Sequence, residues 1–270
     1  MIMKEDGTSV LQKTHGLELA SWLFIDAESP ASRPVCSVDR LSCALMDELN
    51  AFVTPRSVTL VEGASQGEAL TWFTVPGHNA TNVFGEGFIT PTAASMVRLG
   101  VNPRVIDRHG IHAKETAVAL IDAVQDRKEH DVVMANTGDL SQTVGGSATV
   151  HVACTVPRDM VLKHYPQIGE GSKDVPFSFD LPVDVRMPSY VQKQFISHAG
   201  LVLTLTAIQG KPPEVPFEPD SSFVKSDGNI TLDPMYEPVQ LLRDRGWVGD
   251  TVESCTSGAI FSRMASMPGG

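Results

Sequence analysis

Between Gly145 and Pro157 the chain alternates with a period of two. Ala148, Val150, Val152, Cys154 and Val156 share one parity, and Ser147, Thr149, His151, Ala153 and Thr155 share the other. Successive side chains of a strand point to opposite faces, so this run predicts a half-buried strand in an antiparallel sheet. A glycine pair before it and a proline after it mark its ends. The same alternation returns at Phe177, Phe179, Leu181, Val183, Val185 and Met187, with Ser178, Asp180, Asp184 and Arg186 between them. Pro182 interrupts that ladder and predicts an edge strand or a bulge. Leu201 to Ile208 reads as a strand near the centre of a sheet. Ser57–Val61, Ala69–Val75, Arg104–Asp107 and His130–Met134 are shorter strand candidates.

Helical spacing is rarer. Leu41, Ala44, Leu45, Leu49 and Phe52 form one stripe, with Ser37 or Asp39 available as N-cap. Ala113, Ala117, Leu120, Ile121 and Val124 form the best amphipathic face in the chain, with Lys114, Glu115, Asp122 and Asp126 opposite. Thr90-Pro91 reads as a helix start, and Gly100 as the stop after Leu99. Gly77-His78-Asn79, Gly85-Glu86-Gly87 and Asn136–Asp139 read as turns. Leu17–Ile25 suits a strand or a buried helical turn. From Lys211 to Pro219 four prolines prevent regular pairing and predict an extended segment. A short strand at 230–232 and a helix near 239–245 follow.

These elements predict a mainly β fold with inserted helices, an antiparallel β-sandwich of jelly-roll type. The alternative is an α+β fold with a strand–helix–strand unit at 103–135. The domain reading is an N-terminal extension with one helix at 1–54, a β-rich core at 55–210 and a Pro-rich extended C-terminal arm at 211–270. The order of short strands, helix, strand, helix, long antiparallel strands and extended arm resembles the jelly-roll coat subunit of non-enveloped viruses. The resemblance spans residues 55–210 and lies in element order, with no diagnostic motif. It implies a self-assembling structural subunit, a capsid protein building a shell by lateral contacts with itself and with sister coat subunits. It implies no catalysis, no cofactor, and a place in the virion after assembly in a host cytoplasm; a cytoplasmic protein is the fallback.

Charge narrows the partners. The net charge of −11 argues against a broad phosphate-binding surface. No stretch is long and apolar enough to predict a membrane span, and the first residues do not read as a signal peptide. The four cysteines, at 36, 43, 154 and 255, form no zinc spacing, and Cys154 reads as a buried thiol.

Candidate chemistry is sparse. Asp107, His109 and His112 form a D-x-H-x-x-H grouping with ligand types suited to zinc or iron. They carry the alternative function, a metal-assisted hydrolase. Gly63–Gly67 and Gly85-Glu86-Gly87 lack the lysine and spacing of a phosphate loop and read as turns. His151 lies on the polar parity of its strand and reads as facing solvent or an interface. The sequence therefore assigns no catalytic, cofactor-binding or metal-ligating residue.

Overall fold

In a computed structural model of the chain, described over residues 36–73, 82–125, 131–141, 146–166, 168, 173–219, 241–242 and 244–245, a five-stranded sheet runs through the core. The elements in order are α1 (Ser37–Asn50), β1 (Val58–Glu62), α2 (Glu68–Trp72), β2 (Phe84–Ile89), α3 (Ala93–Leu99), α4 (Pro103–His109) and α5 (Lys114–Gln125). They continue with β3 (Val132–Gly138), β4 (Ser147–Pro157), α6 (Arg158–Val161), β5 (Asp174–Asp184) and α7 (Ser189–Gln209). The sheet order is β2-β1-β3-β4-β5. β1 pairs parallel with β2 and with β3, whereas β3–β4 and β4–β5 are antiparallel.

This is an α/β fold with a mixed sheet, and it corrects the jelly-roll expectation. A jelly roll needs two antiparallel sheets packed face to face. Here one sheet has helices on both faces. Val58, Leu60, Val132, Met134, Cys154 and Val156 bury one face beneath α1, α2, α6 and α7. Val61, Val133, Ala135 and Ala153 bury the other beneath α3 and α5. The α+β alternative is right in part. α5 does lead into β3, but Arg104–Asp107 is helical. Asn102 caps α4 by accepting from the Arg104 N–H at 3.0 Å, with Pro103 in the first turn.

Two further strand expectations fail for identifiable reasons. Leu201–Ile208 belongs to α7, a helix of 21 residues. α7 is covered by α1, α2 and the sheet, so its apolar residues ring much of the helix and show no narrow stripe. Gly200 lets it lie close to β3: a Cβ there would stand 2.7 Å from the Met134 sulfur. Residues 68–72 form α2, although Leu70, Trp72 and Phe73 are strand formers. The Glu62 carboxylate collects the N–H groups of Gly67, Ala69 and Leu70 and fixes that turn. The run at 85–87 reverses the error: it lies in β2, whose Gly87 stands against the Leu70 side chain. Asn136, Thr137 and Gly138, expected as a turn, extend β3.

The long alternating run is strand β4, with Ala148, Val150, Val152, Cys154 and Val156 all buried. β5 is an edge strand, in keeping with Pro182. The Val185 N–H donates to Gly146 O, so odd-numbered residues of β5 turn their backbone toward β4. Pro176 and Pro182 are even-numbered and therefore lie on the outward-facing backbone positions.

The extended segment after α7 packs on its own chain. Phe217 stacks edge-on against Phe195 and His198, and Ser37 exchanges hydrogen bonds with the Glu218 backbone. The Arg40 guanidinium pairs with the Glu218 carboxylate. The elements expected at 17–25 and 230–232 lie outside the described residues, as does most of 239–245. Among the described residues, no helix is long and apolar enough to cross a membrane.

Candidate functional site

The connection from β1 to β2 carries α2, on the α1/α7 face of the sheet. The connection from β2 to β3 carries α3, α4 and α5, and α3 and α5 pack on the opposite face. The chain thus leaves the carboxyl ends of neighbouring parallel strands toward opposite sides. In open α/β sheets that divergence opens a crevice beyond the strand ends, where ligands bind.

Glu62, the last residue of β1, is the centre of this edge. Its Oε2 accepts from Ser65 Oγ at 2.6 Å and from the Gly67 N–H at 2.9 Å, and its Oε1 accepts from the Leu70 N–H at 2.9 Å. The residue is fully buried. Desolvation raises its carboxyl to about 7, even though the Ser65 hydroxyl and the backbone donors pull the other way. Asn136, at the corresponding level of β3, completes the scaffold. Its Oδ1 accepts from the N–H groups of Ala64 and Ser65 at 2.9 and 3.1 Å, and its Nδ2 donates to Ser65 Oγ at 2.8 Å. Gly63 is held closer still. A Cβ there would lie 2.9 Å from the Asn136 carbonyl oxygen and 3.4 Å from Thr137 Oγ1. The 63–67 turn then passes through left-handed backbone at Gln66 and Gly67.

α7 forms the wall over this turn. Ala64 shares an apolar cluster with Ile196 and Ala199. Thr204 bonds the Cys154 thiol and Gly200 faces Met134, so the helix runs back along the sheet toward the carboxyl edge. Its sheet-facing stripe arrives there with Ser197 and Lys193. Lys193 is only 3% exposed, and burial lowers its ammonium to about 8 against the attraction of Glu68.

Buried polar groups are normally hydrogen-bonded. Among the described residues, six buried side-chain N or O atoms have no partner, and three of them border this edge: Gln66 Oε1, Thr90 Oγ1 and Ser197 Oγ. Thr90 adjoins Glu62 directly, its N–H donating to the Glu62 carbonyl at 2.9 Å. A groove elsewhere has a volume of about 510 Å³ and is lined by Glu48, Lys163, His164, Gln209 and Lys211 among others. It is open to solvent, and Gln209 is already bonded to Glu48 there at 2.6 Å.

The residues singled out by sequence are not brought together. Asp107 and His109 lie on α4, and His112 lies in the loop beyond it. His109 faces Glu115 at 3.7 Å. Among the described residues no group of three His, Cys, Asp or Glu side chains is placed to hold a metal ion, so the hydrolase alternative loses its site. His151 pairs across strands with Asp180, Nδ1 to Oδ1 at 2.7 Å, on the sheet face away from α7. Sequence reasoning missed Glu62, Asn136 and Lys193. The one available signal was Glu62 ending a strand just before a Gly-Ala-Ser-Gln-Gly turn.

No protein-family model matches this chain, and no curated protein sequence does. It is similar in structure to the competence-damaged protein (CinA) superfamily protein ECK1530/EC0983 from Escherichia coli, at 17% identity and a TM-score of 0.46, covering 64% of this chain and 88% of that one. It is also similar to the competence or damage-inducible protein from Enterobacter asburiae, at 18% identity and a TM-score of 0.48, covering 63% and 98%. A third is the competence/damage inducible protein CihA from Agrobacterium tumefaciens, at 20% identity and a TM-score of 0.43, covering 64% and 93%. The mixed sheet with helices on both faces overturns the coat-protein resemblance, and with it the shell-building function and the virion placement that the resemblance implied.

Proposed function

We propose that this chain binds a small molecule at the carboxyl ends of the parallel strands β1, β2 and β3, between the 63–67 turn and the first half of α7. The observation that carries this reading is the gathering of unpartnered buried polar atoms there. Leaving a buried donor or acceptor unmade costs about 1–3 kcal/mol each, and a ligand bearing complementary groups recovers that cost on binding. The Glu62–Ser65–Asn136 network supplies the rigid base that such a site needs. Its own groups are bonded to one another, so it holds the turn in place and does not touch the ligand.

Hydrogen exchange read by mass spectrometry on the full chain tests this. The probes are a mononucleotide, a sugar phosphate, an amino acid and a dicarboxylic acid, each at millimolar concentration. Protection is expected on peptides spanning 62–70, 132–138 and 189–200. Protection confined to peptides around Glu48 and Lys211, or none with any probe, would overturn the reading.

A further inference from the structure

We infer that residues 215–219 form a strap over His198 that lifts when His198 is protonated, a pH-sensitive latch independent of any ligand at the carboxyl edge. α7 ends at Gly210, where left-handed backbone (φ +74°) reverses the chain. A Cβ there would stand 2.5 Å from His164 Cγ, so the residue at this turn must be glycine. Pro212, Pro213, Pro216 and Pro219 keep the returning segment extended. The helix from Gly210 back to His198 measures about 18 Å, and an extended run from Gly210 to Phe217 reaches about 22 Å. Phe217 therefore arrives over His198. The two rings form a T-shaped pair with centroids 5.4 Å apart, and Phe217 meets Phe195 likewise at 5.1 Å. Ser37, the first residue of α1, donates its N–H to the Glu218 carbonyl and accepts the Glu218 N–H at its hydroxyl, both at 3.0 Å. The same hydroxyl lies 3.1 Å from His198 Nδ1. The strap's contacts thus converge on one histidine, which is only 8% exposed.

The surroundings oppose a charged ring. Burial, and then the Arg40 guanidinium presented by α1, hold the imidazole below its ordinary range. The strap itself presents Glu218, but that carboxylate is more than half exposed and is paired with Arg40. The other elements packed on α7 direct their charges elsewhere. Glu68 of α2 acts on Lys193, and β3 and β4 turn Met134 and Cys154 toward the helix. Asp180 of β5 pairs with His151 on the far face of the sheet, Asp184 pairs with Arg186, and Asp159 of α6 pairs with Arg56. An imidazolium closed under the strap beside Arg40 is therefore disfavoured, and lifting the strap returns the ring to water. Lifting gives up two backbone hydrogen bonds, the Phe217 contacts and an exposed ion pair, while the sheet and the packing of α1 on α7 remain. The sign follows from the lowered value: the latch is closed above the ordinary 6.5 and opens as the pH falls below it.

Hydrogen exchange of the full chain between pH 7.5 and 5.0, corrected for the intrinsic exchange rate, tests this. The reporters are the Ser37 and Glu218 amides, which bond only across the strap contact. Their protection should fall several-fold on acidification. The ordinary histidine value of 6.5 sets a ceiling of about 30-fold at pH 5. Peptides from β4 should keep their protection, because the opening is local. H198Q should abolish the fall, which separates His198 from His164 at the root of the strap. Linkage is reciprocal, so F217A, which loosens the strap without touching a titrating group, should raise the His198 midpoint toward its ordinary value. Nuclear magnetic resonance of the imidazole C–H reads that midpoint. Protection at Ser37 and Glu218 that ignores pH, an equal fall in β4, or a fall retained in H198Q would overturn the inference. So would a His198 midpoint unchanged by F217A.

Discussion

Asn136 and Ser65 are bonded twice, once through Ser65 N–H to Asn136 Oδ1 at 3.1 Å and once through Asn136 Nδ2 to Ser65 Oγ at 2.8 Å. This pair ties the turn after β1 to the end of β3, across 71 positions in sequence. Asn136→Ala should therefore cost about 2–4 kcal/mol, since three donors or acceptors lose a partner in a buried site. Ser65→Ala should cost less. Denaturant titration of the two single variants and the double variant should give a coupling of about 0.5–3 kcal/mol. Strict additivity would show that the two side chains act independently.

The contribution of Glu62 to stability should fall as the pH rises from 5 to 8. The Glu62 carboxyl stands at about 7 in the fold against an ordinary 4.5, so the fold favours its protonated form. That contribution is complete below the unfolded value and is lost as the pH passes through the folded one. One pKa unit corresponds to about 1.4 kcal/mol, so the loss is on the order of 3 kcal/mol. Unfolding midpoints in guanidinium at pH 5, 6, 7 and 8 measure the slope. Glu62→Gln should remove it while lowering stability throughout, because the amide nitrogen cannot accept from Gly67 or Ser65.

Gly63→Ala should destabilise the chain by about 1–3 kcal/mol, the usual range for overpacking. The clash is with the Asn136 carbonyl oxygen, a backbone atom within the sheet, so the neighbour cannot rotate away. A change in melting temperature below one degree would contradict the close approach.

Native Cys154 should resist iodoacetamide at pH 8 and react only after denaturation. It is fully buried, and burial pushes its thiol up to about 12. Peptide mass spectrometry before and after urea treatment reads the difference. Labelling of the native chain at Cys154 would contradict this burial.

What the sequence made legible is what local pattern governs. β4, α5 and α1 stand close to where periodicity puts them, because the helices each bury one side and expose the other, and β4 keeps its large apolar residues on one face with small or polar ones opposite. The edge position of β5 followed from Pro182 alone. α7 was misread because tertiary burial on several sides removes the contrast on which periodicity depends, leaving Leu201–Ile208 as an apolar run of ambiguous type. Parallel pairing of β1 and β3 was also hidden, since their partners lie across long crossovers. The site suffered most. Glu62 and Asn136 come to one level only through the parallel pairing of β1 with β3, with Ser65 bonded to both. Asp107, His109 and His112, adjacent in sequence, are spread along a short helix and the loop beyond it.

The prolines on the outer rim of β5 limit how this sheet can grow. A strand added there would face two positions with no N–H to offer, at Pro176 and Pro182. Among the described strands only β2 presents a rim free of proline. Among the described strands, addition of a further strand is therefore favoured at β2 over β5. Two copies joined rim to rim through β2 would leave proline-bearing rims outermost among the described strands, which disfavours further growth by strand addition.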